Sequence, residues 1–274
     1  MRRIFSAFLT VSFLAASTSG AARASDFCAA RTPAALPDEL VRLAADPAMR
    51  IAVPNQGGIG NGGVCWWHSR FQRAAWYLAR FAPTMPRPTA REARALIRRI
   101  AARNEVVEIP GFSDLRRFTS AYRAELQKEL NTWQIRDGLL NQAYLRGLSG
   151  HARFRDADRM KARMDAVYAA VVDARPKGDV VWLMLQMRGI VSHASLVSTM
   201  SAEADGGYVL AVVDSNHPGR LVHYRYRPGD LELAPWDFEM HDYENVPYVG
   251  FSRDLKRIHR AIEAYCSPAE SVNR

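Results

Sequence analysis

Residues 54–67 read PNQGGIGNGGVCWW and place a cysteine between a glycine-rich loop and a helix. Five glycines and two asparagines within 54–63 permit positive φ angles and close approach of backbone N–H groups to a ligand. No Lys-Ser/Thr pair follows the glycines, which excludes a phosphate-binding P-loop. From Cys65 to about residue 81, apolar residues recur every three or four positions, which predicts an amphipathic helix.

The position of Cys65 at the start of this helix indicates chemistry. A helix N-terminus offers unpaired N–H groups and a partial positive charge, and both favour the thiolate over the thiol. The same N–H groups can stabilise an oxyanion that forms when the thiolate attacks a carbonyl. We therefore expect Cys65 to be a nucleophile. The structural alternative is a small buried hydrophobic residue.

The first 24 residues have the pattern of a secretory signal peptide. Arg2 and Arg3 precede an apolar run that reaches Ala16, and Ala22-Arg23-Ala24 provides a small-x-small cleavage site. The run is short for a membrane span, and no later segment has 18 uninterrupted apolar residues. The sequence thus predicts a periplasmic or secreted protein with no membrane span after cleavage.

Export gives the three cysteines a specific meaning, because thiols in an oxidising compartment tend to pair. Cys28 lies near the mature N-terminus and Cys266 near the C-terminus, and the termini of a domain are often close together. We expect a Cys28–Cys266 disulfide, which leaves Cys65 as the odd thiol. The alternative is that all three are reduced and packed in the interior.

The charge of the chain limits the classes of partner. Residues 1–24 contain three arginines and no acid, so cleavage lowers the formal net charge from +9 to +6. This modest excess suits an anionic envelope or an acidic substrate. No nucleic-acid motif is present and export argues against such a role, so no nucleic-acid partner is expected. The sequence leaves the oligomeric state open.

Residues 25–274 are expected to form a single α+β domain, because helical patterns precede a run of strands. A short helix begins at Leu36. Further helices are predicted at about 65–81, 89–102, 113–130 and 154–174, with a Thr89/Glu92 capping box. After Gly178 the pattern changes to antiparallel strands at 179–187, 193–200, 208–213, 221–227 and 246–251, and a helix from Ser252 closes the chain.

A nucleophilic cysteine needs a base, and that base needs an orienting group. His193 begins one predicted strand, and Asp214 ends the next in the turn DSNHPG. A hairpin would bring Asp214 beside His193, although Asn216 is a rival orienter and Asp214 has a structural alternative as a turn residue. The other histidines lack such a partner pattern. Neither Cys-x-x-Cys nor His-Glu-x-x-His occurs, so neither a metal site nor a cofactor is expected.

Three short segments of the chain resemble the papain-like cysteine peptidases: GGVCWW with Gln56 upstream, His193-Ala194, and Asp214-Ser215. The gaps of 128 and 149 residues from Cys65 to His193 and Asp214 agree with those of that family, roughly 130–150 residues. The sequence departs from the family in its longer gap from Gln56 to Cys65, in Gly63-Val64 before the cysteine, and in an Asp as orienter. The resemblance is to a distant bacterial member.

The resemblance implies a papain-like fold and hydrolysis of peptide or amide bonds. Cys65 would attack, His193 would move the proton, Asp214 would orient His193, and Gln56 would donate its amide to the oxyanion beside the Cys65 N–H. Gln56 has a structural alternative as an ordinary loop residue. Peptides, proteins or peptidoglycan are the expected substrates, because a peptidoglycan amidase or endopeptidase uses the same logic. A non-catalytic binding module of the same fold is the third hypothesis.

Overall fold

The computed structural model describes residues 24–137, 156–187, 192–237, 244–250 and 252–267. Its helices and strands alternate in the first half, and strands dominate the second. The helices are α1 (Leu36–Ala45), α2 (Cys65–Leu78), α3 (Ala90–Ala102), α4 (Leu115–Ala121), α5 (Arg123–Ile135), α6 (Ala157–Ala174) and α7 (Ser252–Cys266). The strands are β1 (Ala79–Ala82), β2 (Val107–Pro110), β3 (Trp182–Gln186), β4 (Ser192–Ala202), β5 (Tyr208–Asp214), β6 (Leu221–Tyr226), β7 (Ala234–Pro235) and β8 (Val246–Gly250).

The helical part follows the predicted starts with two corrections. The Thr89/Glu92 capping box begins α3 as predicted. The single helix expected at 113–130 is instead two helices, because Tyr122 leaves helical geometry with φ −116° and ψ 41°. The N-cap of the first of these helices, α4, is Asp114, whose carboxylate accepts from the Arg117 N–H.

The helix that begins at Cys65 ends at Leu78, three residues before the predicted end. The chain then enters β1, which pairs in parallel with β2 from Ala79↔Val107 to Ala82↔Pro110. The helical periodicity gave no sign of this change, because a short strand buried at both ends has no period of its own to read.

The second half forms a six-stranded antiparallel sheet in the order β7-β6-β5-β4-β3-β8. The chain is therefore α+β, with helices followed by an antiparallel sheet, as predicted. The sequence pattern missed the two-residue strand β7. The register of β4 decides the site: Leu185 is opposite His193, and Ser195 is opposite Asp214.

The two faces of the sheet pack in separate cores, because successive residues of a strand point to opposite faces. Trp182, Met184 and Leu196 pack with α2 and the other helices of the first half. Leu183 and Leu185 pack with α6 on the opposite face. Helix α2, which begins at Cys65, thus lies against the first face of the sheet.

The Cys28–Cys266 disulfide predicted from the sequence is present and ties the N-terminal segment to the end of α7. All three cysteines lie in the described ranges, and Cys65 is the free one. Residues 1–23 of the predicted signal peptide lie outside the described residues. Among the helices that are described, none has both the length and the apolar character to cross a bilayer.

Candidate active site

Cys65 is the first residue of α2, where the glycine-rich loop ends. Val64 is the N-cap residue, and its side chain cannot accept a hydrogen bond. No N-cap side chain therefore accepts from the N–H groups of the first helical turn. The loop needs positive φ angles of 78° at Gly58 and 86° at Gly63, which glycine adopts without steric cost. The Asn55 Oδ1 accepts from the Val64 N–H, directly before the cysteine.

A row of amides on α5 holds this loop. Gln127, Asn131 and Gln134 follow one another at helical spacing, so they lie on one face of α5. Gln134 Oε1 accepts from the Ile59 N–H at 2.7 Å, and its Nε2 donates to the Gly63 carbonyl at 2.9 Å. Gln127 and Asn131 bond the loop backbone further upstream at Gln56 and Gly58. We call these three residues the amide row.

Helix α2 contacts the strand that carries His193 on both sides of that residue. The Cys65 thiol donates to the Ser192 carbonyl at 3.5 Å. One helical turn later, the Ser69 hydroxyl donates to the Ala194 carbonyl at 2.8 Å. The two contacts fix the start of α2 relative to the start of β4, and thereby Cys65 relative to His193.

His193 lies between Cys65 and Asp214. Its Nε2 is 2.7 Å from Asp214 Oδ2, and the two side chains are 4% and 1% exposed. The Cys65 side chain lies close enough to the same imidazole to raise its pKa. Since Asp214 occupies Nε2, the nitrogen that remains for the thiol is Nδ1. The contact between His193 and Asp214 is the one that the hairpin argument predicted.

Asp214 collects donors at both of its oxygens. Oδ2 accepts from His193, from the Ser195 hydroxyl at 3.0 Å and, more weakly, from the Tyr224 hydroxyl at 3.5 Å. Oδ1 accepts from the Asn216 N–H at 2.7 Å. Sequence reasoning missed Ser195 and Tyr224. Ser195 had a readable signal, because it is two residues after His193 and shares its face of β4.

The charges of this pair stabilise each other. Burial disfavours the charged imidazole, but the Asp214 carboxylate and the Cys65 side chain raise the pKa of His193 well above its ordinary value. Burial also disfavours the charged carboxylate, but His193 and the donors around it hold the pKa of Asp214 well below its usual range. Both directions describe a buried imidazolium–carboxylate pair.

Comparison with known proteins gives no relative: no protein-family model, curated protein or solved structure matches the chain. The chemical interpretation of the site therefore rests on its own geometry.

The rival orienter Asn216 has a different role. The Asp214 carboxylate, not the Asn216 amide, lies against His193. The Asn216 Oδ1 accepts from the Asn55 Nδ2 at 2.9 Å, and the Ser215 carbonyl accepts from the Asn55 N–H at 2.8 Å. Asn55 therefore ties the glycine-rich loop to the turn after β5, a link between distant segments that no local pattern predicts.

Gln56, the predicted oxyanion donor, lies exposed in the loop. Its backbone carbonyl accepts from Gln127 Nε2 at 2.9 Å. In the part of the chain that the structure describes, its side-chain amide makes no hydrogen bond. The neighbouring Asn55 amide, by contrast, is fully engaged with Val64 and Asn216.

Of the remaining described histidines, His217 has its Nδ1 3.7 Å from Asp214 Oδ1, and the other three have partners elsewhere. His68 is buried one turn after Cys65, where its Nε2 is 2.8 Å from the Val53 carbonyl, and burial lowers its pKa to about 4. His223 pairs with Asp237 at 2.6 Å on the surface, and His259 pairs with Asp179 at 2.6 Å. His151 and His241 lie outside the described residues. The described residues include no group of three or more His, Cys, Asp or Glu side chains placed to hold a metal ion.

Proposed function

We propose that this chain is an exported thiol hydrolase that cleaves peptide or amide bonds, with Cys65, His193 and Asp214 as its catalytic residues. The Cys65 thiol, held against the Ser192 carbonyl beside the buried His193–Asp214 pair, carries this proposal. A thiol beside a protonated imidazole is more readily held as a thiolate, which is the nucleophilic form.

The proposed reaction has two halves. The Cys65 sulfur attacks the carbonyl carbon, and His193 holds the proton from the thiol. When the tetrahedral intermediate collapses, the C–N bond breaks and His193 gives its proton to the leaving amine. A water then attacks the thioester and gives a proton to His193, and the C–S bond breaks to release the acid and restore the thiol. Asp214 fixes the ring orientation throughout.

The oxyanion of each intermediate would be held at the N-terminus of α2. The Cys65 N–H lies in the uncapped first turn, and the Gln56 amide is the second donor that we propose. Gln56 is exposed in the same loop with its side-chain amide uncommitted within the described residues, whereas Asn55 is already engaged. The helix start, the order of residues and the following antiparallel sheet support a papain-like arrangement.

The disulfide between Cys28 and Cys266 supports an oxidising compartment, because such bonds persist outside the reducing cytosol. Together with the signal-peptide pattern at residues 1–24, it supports a periplasmic or secreted location. A peptidoglycan amidase or endopeptidase is the second candidate, and the formal charge of +6 after residue 24, which suits an anionic wall, favours it. In a non-catalytic module of the same fold, nothing would require a thiol beside the buried His193–Asp214 pair.

The test is digestion of casein and of purified peptidoglycan, side by side, by the mature protein and by the Cys65→Ala and His193→Ala variants. We expect the wild type to cleave one of the two and each variant to lose at least about 10³-fold in rate, as for other catalytic groups of this type. His223→Ala is the matched control, because His223 pairs with Asp237 at the surface as His193 pairs with Asp214 inside.

Iodoacetamide alkylation separates an enzyme of unknown substrate from a binding module. A Cys65 thiolate beside His193 should react at pH 6 much faster than a free thiol, and His193→Ala should abolish that advantage. Wild-type alkylation no faster than that of a free thiol would favour the non-catalytic module. Full activity of both Cys65→Ala and His193→Ala on a substrate that the wild type cleaves would refute the proposed mechanism.

A further inference from the structure

A cleft of about 630 Å³ lies among α2, α3 and α5, and Cys65, His193 and Asp214 do not line it. Trp67 and Trp133 belong to its wall. Its lining includes four arginines from three helices and from the turn after α3: Arg70, Arg98, Arg103 and Arg136.

The carboxylate of Glu129 in this cleft is shared. Arg94 donates to Glu129 Oε1 through its Nε, and Arg98 approaches the same oxygen at 3.0 Å. The Glu129 side chain is only 2% exposed, whereas the Arg98 side chain is 55% exposed. The single negative charge of Glu129 therefore offsets only one of the two guanidinium charges. The Arg98 guanidinium, which is the more exposed of the two, has N–H donors to spare on the solvent side.

Asp254 of α7 is shared more widely, behind the same cleft. Arg70 binds it with two hydrogen bonds of 2.7 and 3.0 Å, and Arg73 and Arg103 approach it at 3.6 and 3.5 Å. Asp137 adds one further acid, 3.4 Å from Arg70. Among the described residues that line the cleft or pair with its lining, five arginines face three carboxylates.

Arg103 shows the effect of this imbalance. It ends α3 in the left-handed conformation with φ 59°, and within the described residues its buried Nε has no hydrogen-bond partner. Burial, followed by repulsion from Arg70, lowers the pKa of Arg103 to about 10. The group is still charged at neutral pH, so the positive potential of the cleft persists under ordinary conditions.

We propose that this cleft is a binding site for an oxyanion of the phosphate class. A phosphate dianion offsets the excess of two positive charges better than a single carboxylate. Its tetrahedral oxygens can accept from guanidinium groups that approach from several helices, for which the planar fork of arginine is suited. The phosphate could be free in solution or part of a lipid headgroup, which share this chemistry.

The first experiment measures binding of inorganic phosphate by thermal shift and calorimetry, at constant ionic strength against chloride. We expect saturable binding to the mature protein, and about tenfold weaker binding for each of Arg98→Gln and Arg103→Gln, since each removes charge-assisted hydrogen bonds. Arg91→Gln is the matched control, because Arg91 is an exposed arginine of α3 that does not line the cleft. Arg98 is the safer variant for folding because it is largely exposed.

The second experiment measures co-sedimentation with vesicles of phosphatidylcholine, with and without phosphatidylglycerol. Binding to the anionic vesicles that Arg98→Gln abolishes and Arg91→Gln does not would identify the lipid headgroup as the source. Phosphate binding without vesicle binding would identify the free ion. The proposal would be overturned by absence of binding in both experiments, or by equal binding of wild type, Arg98→Gln and Arg103→Gln. Neither result depends on hydrolase activity.

Discussion

The loop that leads to Cys65 and the strands that carry His193 and Asp214 are hydrogen-bonded to each other, but they are held in different ways. Neutral amides and positive-φ glycines hold the loop, with Gln134 bonded to both Ile59 and Gly63. Buried charge holds the strand side, where Asp214 accepts from His193.

Because of this difference, the loop and the strands contribute different properties to the site. The geometry of the loop decides where the sulfur is, and it has no titratable group among its hydrogen-bond partners on α5. The strand side decides the protonation state of His193. Perturbing the loop should therefore change rate and stability at every pH, whereas perturbing the strand side should also move the pH profile.

The largest effect is expected for Asp214→Asn, which keeps the shape of the side chain and removes its charge. The pKa of His193 should fall and the ring should lose its fixed orientation, so kcat/KM should drop by about 10²–10⁴-fold. The pH profile of Cys65 alkylation reports the same change without a substrate. Asp237→Asn, at the exposed His223 pair, is the control. Retention of activity within about threefold would show that Asp214 is only a turn residue.

The next effect concerns the loop, and two of its glycines form a matched pair. Gly58 and Gly60 both have positive φ, at 78° and 61°. A Cβ at Gly58 would lie 2.7 Å from the Gly63 carbonyl oxygen and would overlap the Gln134 amide, whereas a Cβ at Gly60 meets nothing within 4 Å.

Gly58→Ala should thus cost about 2–4 kcal/mol of stability, from backbone strain and overlap together, against about 1 kcal/mol for Gly60→Ala. Because Gly58 lies in the loop that leads to Cys65, its variant should also lose about tenfold in kcat/KM. Urea unfolding and the hydrolase assay measure the two quantities. Equal losses in both variants would mean that the amide row does not constrain the loop.

The sequence was informative where a local rule applies. The α+β order, the disulfide and the meeting of His193 with Asp214 follow from strand patterns, the position of the chain ends and the return of a hairpin. Cys65 at the first position of α2 follows from glycines that end where helical periodicity begins.

The rest depends on tertiary contacts that no local pattern encodes. The amide row lies about 70 residues from the loop it holds, and its spacing alone is that of any polar helix face. Asn55 was overlooked beside Gln56, because only docking of the loop on the turn after β5 distinguishes the two amides. The strand β1 was missed for the same reason, because its partner β2 lies beyond α3 in the chain.

A third prediction uses pH to isolate the contribution of the His193–Asp214 pair to stability. Because the folded pKa of His193 lies above its unfolded value, the stability it contributes is complete below pH about 6.5 and is lost as pH rises through the raised pKa. The lowered pKa of Asp214 acts at the other end, since its contribution is present above pH about 3.9 and is lost as pH falls further.

The free energy of unfolding of wild type minus that of His193→Gln should therefore be largest near pH 5–6 and should shrink above it, by about 1.4 kcal/mol for each unit of pKa shift. Taking this difference removes the contribution of His68, whose lowered pKa has the opposite sign and is common to both proteins. A difference that is constant from pH 5 to 9 would show that the pair is not charged.

The smallest effect is expected for two buried serines, each of which donates one hydrogen bond near the start of β4. Ser69 on α2 donates to the Ala194 carbonyl at 2.8 Å, and Ser195 on β4 donates to Asp214 Oδ2 at 3.0 Å.

Each alanine variant should lose about 1 kcal/mol of stability and a few-fold in kcat/KM, which is the usual contribution of one hydrogen bond. Of the two variants, only Ser195→Ala should move the pH profile of Cys65 alkylation, because only Ser195 contacts the carboxylate that raises the pKa of His193. Ser201→Ala, exposed at the far end of β4, controls for changes in the strand itself. If Ser69→Ala moved the pH profile as far as Ser195→Ala, the helix side would also govern protonation, and the division between a geometric half and a charged half would fail.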